Sequence, residues 1–310
     1  MDGRQHTQAQ PAPPGWRLLE AHGPGGFVTL QVWRRPDGLV LALTSRWLRK
    51  HSPRLNPRRT ALRGPFLDAA FAPRRTTWWI GLLFAIGSAC FLVASLPGFA
   101  GPAGTLVANL VYFIGSTFFT SAAYLQFFEA VNAGVESAPW VAEAAGDAPP
   151  PIVFFAVRVR SLGYWAALVQ LVGTVAFNVS TFTATRTWQT AAGYDEAVWR
   201  PDAFGSACFL LASYLAWAEV CHSYWQLGAR GLSCWIAVIN VAGSIAFAVA
   251  AVGAWHSHAT GRPLEAAVDD LGTLVGAVCF LAGALLLWPE AVLEPVARPV
   301  SRNDGGAATA

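Results

Sequence analysis

Charge is scarce in this chain: only 13% of its 310 residues are Asp, Glu, Lys or Arg, with one lysine (Lys50), against 54% hydrophobic residues. A water-exposed surface of ordinary size cannot be made from so few charges. Signatures of catalysis are also missing. The sequence has no Gly-x-Ser-x-Gly elbow, no His-Glu-x-x-His pair, no phosphate-binding loop and no dinucleotide fingerprint, so it reads as a non-enzyme without a cofactor. No cysteine pair has metal-ligand spacing. No recognition module accompanies the basic residues, so nucleic acid is not an expected partner.

Long hydrophobic runs fill the space that charge leaves. Six reach the ~18 or more residues that a membrane span needs: Trp78 to Leu96, Thr105 to Phe128, Leu162 to Ala184, Ala203 to Val220, Leu232 to Ala254 and Leu271 to Trp288. The 77 residues ahead of the first show no signal-peptide pattern, so that span is expected to serve as its own insertion signal. Lys and Arg stay on the cytoplasmic side, and 18 of the 21 fall on one side of a six-span arrangement. Arg186, Arg200 and Arg262 fall on the other. Both termini are therefore expected in the cytoplasm, with the protein in the plasma membrane.

An internal pattern runs through the spans. The decapeptide Ile86 to Ser95 (IGSACFLVAS) returns as Phe204 to Ser213 (FGSACFLLAS). More broadly, every span holds a Gly, a small residue beside it and a Phe four positions on, beginning at Gly87, Gly115, Gly173, Gly205, Gly243 and Gly276. Odd spans add a Trp eight residues before the Gly (Trp79, Trp165, Trp235). Even spans add a Glu fourteen after it (Glu129, Glu219, Glu290). The chain thus reads as three copies of a two-helix hairpin. With Trp at the cytoplasmic interface and a rise of ~1.5 Å per residue, the odd and even Gly motifs overlap near the mid-plane. Gly lets two backbones approach and Phe fills the adjoining space, so these six glycines read first as helix-packing positions. A pore-lining motif is the alternative.

These phrases resemble the YrhK-like bacterial membrane proteins. The likeness is closest over Trp78 to Asn132, including YLQFFEAVN (Tyr124 to Asn132), and continues through Phe177 to Phe182, Trp199 to Leu210 and Leu271 to Glu290. The resemblance implies an architecture of two-helix units and no mechanism. Heavy use of Ala, Gly and Arg beside one Lys fits a high-GC bacterial source.

Among polar candidates the three glutamates come first. Packed around a pseudo-threefold axis, Glu129, Glu219 and Glu290 would form an acidic ring that attracts cations, or each would simply end its helix in the headgroup region. Gln170 and Asn240 each precede their Gly by three residues, and Asn178 lies inside the third span. These amides read as interhelical hydrogen-bond donors, alternatively as the lining of a polar path. Cys90, Cys208 and Cys279 each follow their Gly by three and read as small apolar groups. Cys221 and Cys234 fall at cytoplasmic helix ends, so no disulfide is expected. The outer-loop His256-Ser257-His258 is a weak metal candidate.

Residues 1–77 carry 13 basic residues against four acids, enough to attract anionic lipid. Within them, Val28, Leu30 and Val32 alternate, as do Leu39, Leu41 and Leu43 across Pro36-Asp37-Gly38, which reads as a β-hairpin that must pack on something. Arg46 to Arg75 reads as a basic, proline-broken linker along the membrane. Residues 1–15 read as disordered. The expected organisation is an all-α membrane protein: a basic cytoplasmic region (1–77), hairpins at 78–135, 162–222 and 232–291, a linker at 136–161, and a disordered tail at 292–310. Function reads as a membrane scaffold or interaction protein, partnered by the bilayer and by a second copy or another membrane protein. The alternative is a small cation or solute channel or transporter using the glutamates.

Overall fold

The computed structural model describes residues 15–52, 55–56, 71–134, 151–187, 190–225, 231–256 and 263–293. The segments read as a disordered start (1–14 of it), most of the linker at Ser137 to Pro151, the pair Ser257 and His258, and the tail beyond Leu293 lie outside these residues.

The fold is mostly helical, with a small three-stranded sheet at its N-terminal end. Strands β1 (Arg17–His22), β2 (Leu30–Arg34) and β3 (Val40–Thr44) form an antiparallel meander in the order β1-β2-β3. Two of these are the strands that alternation predicts. The third, β1, corrects the hairpin reading: it is a largely exposed edge strand, so its sequence RLLEAH lacks a clean apolar alternation. Gly38, at φ +84°, closes the β2–β3 turn after Asp37, whose Oδ1 accepts from Leu39 N at 3.1 Å. The sheet has its own small core of Trp16, Trp33, Leu41, Leu43, Trp47 and Leu48.

A second correction follows immediately. Where a linker is expected, Ser45–Lys50 forms a short helix, α1, and five of its six residues are buried. Thr44 caps it, its hydroxyl accepting from Trp47 N at 3.1 Å.

Six long helices complete the fold: α2 (Thr76–Ala94), α3 (Thr105–Val131), α4 (Leu162–Ala184), α5 (Arg200–Cys221), α6 (Leu232–Gly253) and α7 (Ala266–Leu293). All six are long and apolar enough to cross a membrane, α5 together with the helical turns that precede it from Ala191. The helices run on past the apolar stretches at several ends and take in Asp202, Asp269, Glu129 and Glu290. Each packs on its neighbours in sequence, and α7 returns to pack on α2, which closes a ring. Outward faces carry aliphatic side chains such as Ile114, Val175, Ile245 and Val278, each about half exposed.

Glycine and phenylalanine build the interior. Gly87 faces Gly115, Gly173 faces Gly205 and Gly243 faces Gly276; a Cβ added at the second of each pair would sit 3.0–3.1 Å from the carbonyl oxygen of the first. Cys90, Cys208 and Cys279 pack on the glycine opposite them in the same seams. The phenylalanines four residues after these glycines converge on the axis. Phe91, Phe177 and Phe247 form one triangle, with ring centroids 6.0–6.4 Å apart. Phe119, Phe209 and Phe280 form a second, at 5.7–6.4 Å. Pairs at 5.0–5.5 Å join the two triangles. The void enclosed among five of these rings is about 10 Å³, about the least that holds one water molecule.

Candidate functional site

The polar centre of the molecule lies where the sheet meets the helix bundle. It begins with the spacing in α1: Arg46, Arg49 and Lys50 stand at i, i+3 and i+4 and so share one face of the helix. Trp47 and Leu48 join the sheet core on the other side. Ser45 N donates to Thr29 O at 2.9 Å, which ties α1 to the sheet. The sheet and α1 therefore form one module, and its cationic face is turned to the ends of α3, α5 and α7.

Each of those ends presents one of the glutamates, and all three are at most 2% exposed. Glu290 accepts from Arg46 Nε at 2.7 Å and Nη2 at 3.1 Å, from Lys50 Nζ, and from Ser233 Oγ at 2.6 Å. Glu219 accepts from Arg49 Nη1 and Nη2 at 3.1 and 2.9 Å and from Ser45 Oγ at 2.7 Å. Glu129 pairs with neutral donors, Asn56 Nδ2 at 2.8 Å and Thr77 Oγ1 at 2.7 Å. Asn56 is held in turn by Thr77 N, which donates to its Oδ1 at 3.0 Å. A buried charge costs several kcal/mol unless it is paired and hydrogen-bonded. Here the three cations of α1 meet that condition with Glu219 and Glu290, while Glu129 is hydrogen-bonded by the neutral Asn56 and Thr77.

Thr77 and Ser233 both stand ten residues before their helix's packing glycine, and the corresponding residue of α4 is Gly163. A Cβ at Gly163 would lie 1.8 Å from Arg49 Nη1 and 2.6 Å from Glu219 Oε1. The missing side chain is the space that the Arg49 guanidinium occupies, and Ser45 supplies the hydroxyl instead.

His222 anchors the sheet from the end of α5. Its backbone is left-handed, at φ 55°, and its Nδ1 lies 2.9 Å from Thr29 Oγ1. Burial lowers its pKa below the usual 6.5 and His22 acts in the same sense, while the Glu219 carboxylate opposes them.

The amides do not join the glutamates. Gln170 and Asn240 lie seven residues along their helices from the level of Gly163 and Ser233, about 10 Å towards the middle of the bundle. Gln170 is half-buried on α4. Asn178 Nδ2 donates across to Thr120 Oγ1 on α3 at 2.8 Å. The Asn240 side chain fills the space above Gly283, where an added Cβ would lie 2.5 Å from its Oδ1. At the far end His256 N donates to Asp195 Oδ1 at 3.3 Å. Among the described residues no group of three or more His, Cys, Asp or Glu could hold a metal ion.

Sequence reasoning singles out the glutamates and misses their partners Ser45, Arg46, Arg49, Lys50, Asn56, Thr77 and Ser233. Two signals were available: the i, i+3, i+4 cations of α1, and the hydroxyls at a fixed distance from the packing glycines. Compared with known families, curated proteins and solved structures, the chain finds no match.

Proposed function

We propose that this is a non-enzymatic, multi-pass protein of the bacterial plasma membrane, built from three repeated two-helix hairpins with both termini in the cytoplasm. Its N-terminal module is a fixed cytoplasmic cap, and the protein acts as a scaffold that holds this cap at the membrane surface. The observation that carries the reading is the pairing of all three buried glutamates, two of them with the cap's own Arg46, Arg49 and Lys50. A carboxylate ring that serves passing cations needs free lone pairs facing water; these carboxylates are engaged, and six phenylalanine rings fill the axis beyond them. Kinship with the YrhK-like proteins belongs to the same reading and rests on the Gly-small-x-x-Phe phrases.

The test is cation flux into proteoliposomes containing the purified chain, beside a variant with Glu129, Glu219 and Glu290 all changed to Gln. Neither is expected to conduct above the lipid background. Flux through the unaltered protein that collapses in the variant would replace the scaffold with a cation pathway.

A further inference from the structure

Beside the acid triad, the cap and the bundle leave a cleft of about 610 Å³, within the range of small-ligand sites. Leu18, Val28 and Leu48 of the cap and Ala130 at the end of α3 give it apolar walls. Its charged lining is entirely positive: Arg49, Arg158 and Arg160, with no Asp or Glu among the residues that line it. Arg49 is already engaged with Glu219. Arg158 is anchored through Nε to Val131 O at 3.1 Å, and its two terminal nitrogens make no bond among the described residues. Arg160 is exposed. Two guanidinium groups beside an apolar wall are suited to a phosphate head that carries a hydrocarbon tail, because the planar fork binds phosphate oxygens in pairs.

The surroundings of the mouth identify where such a molecule comes from. Trp165 Nε1 donates to Val159 O at 3.0 Å, which fixes the lining segment at the level of the interfacial tryptophans. Along this segment Phe154, Phe155, Val157 and Val159 are between 60 and 73% exposed, although Phe154 stacks on Phe128 and Phe155 leans on Tyr124 and Phe127. An apolar ridge at that height, alternating with Arg158 and Arg160, belongs among headgroups and the first carbons of acyl chains.

We infer that this cleft holds one anionic phospholipid, its phosphate on Arg158 and Arg160 and the start of its acyl chains along the apolar wall. The inference rests on the membrane placement proposed above, and assembly of the chain into nanodiscs tests that placement separately. The experiment then uses the full chain in nanodiscs of phosphatidylcholine with a minor share of phosphatidylglycerol, followed by native mass spectrometry to count lipids retained on release. One phosphatidylglycerol should be retained in preference to phosphatidylcholine. The R158Q/R160Q variant, which removes both guanidinium groups that face the phosphate, should weaken that retention at least about tenfold. Ala21→Trp, which fills the cleft from exposed strand β1 and removes no charge, should abolish it while hydrogen exchange in the sheet stays unchanged. Equal retention of the two lipids, or retention unchanged in both variants, would overturn the site. Displacement by soluble glycerol phosphate as readily as by phosphatidylglycerol would overturn the lipid as its occupant.

Discussion

Replacing Arg49 by Ala should release the cap from the bundle far more than loss of a surface charge would. Arg49 and Glu219 are buried partners, with side chains 7 and 1% exposed. Without the guanidinium, Glu219 keeps one hydrogen bond among the described residues, from Ser45, and remains a carboxylate out of water. Breaking a buried pair in this way costs about 3–5 kcal/mol, against at most about 1 for an exposed pair. At about 1.4 kcal/mol per factor of ten, undocking of the cap becomes roughly 100- to 4000-fold easier. Hydrogen exchange of the sheet amides, measured by mass spectrometry against α6 as an internal reference, reads that equilibrium directly, because a three-stranded sheet has little stability of its own. The double variant R49M/E219Q removes both charges and leaves Ser45 with an amide to bond. It should return to within about 1 kcal/mol of the parent, the coupling a double-mutant cycle measures. Acceleration of less than tenfold in R49A, or a double variant as labile as the single, would refute the argument that the pair is electrically isolated from solvent.

Two further outcomes follow from the same site. Gly163→Ala places a Cβ where Arg49 Nη1 lies, so it should cost about 1–3 kcal/mol of cap docking and less once Arg49 is already Ala, when Glu219 Oε1 at 2.6 Å still opposes the new Cβ; Gly101→Ala, with nothing within 4 Å, should leave the same exchange rates unchanged. His222 is held neutral by burial, with His22 acting in the same sense and Glu219 against, so the folded state binds its proton less readily than the unfolded chain. Its contribution to docking should be complete above about pH 6.5 and be lost as pH falls through the lowered folded value. His222→Asn, which keeps a residue tolerant of the left-handed backbone, should flatten that dependence; an unchanged pH profile would show that another group sets it.

The parts of this fold legible in the sequence are those that depend on local composition. A run of apolar residues such as Leu232 to Gly253 has one way to satisfy its backbone in lipid, and the helix follows. The Gly-small-x-x-Phe phrases likewise mark close approach, because few other residues let carbonyl oxygens come within about 3 Å of a neighbouring helix's side-chain position. Convergence of the six phenylalanines depends on the crossing and closure of the ring, and no single helix encodes that. The cap was least legible. SRWLRK is too short for periodicity to declare a helix and too charged to suggest burial, and its cationic face makes sense only with carboxylates 170 to 244 residues away.

Those carboxylates also bear on how the cap is seated on the bundle. Glu129, Glu219 and Glu290 each lie near the end of a helix, but their surroundings differ. Buried ion pairs return little net stability compared with apolar packing, but they discriminate sharply against mismatched partners. Arg49 fits at Glu219 because Gly163 leaves room; at the other two ends Thr77 and Ser233 carry side chains whose hydroxyls already serve their own glutamates. Arg46 and Lys50 place two positive charges on Glu290, whereas Asn56 and Thr77 bring none to Glu129. Arg49 thus has room beside Gly163, and that difference assigns it to Glu219 rather than to Glu129 or Glu290.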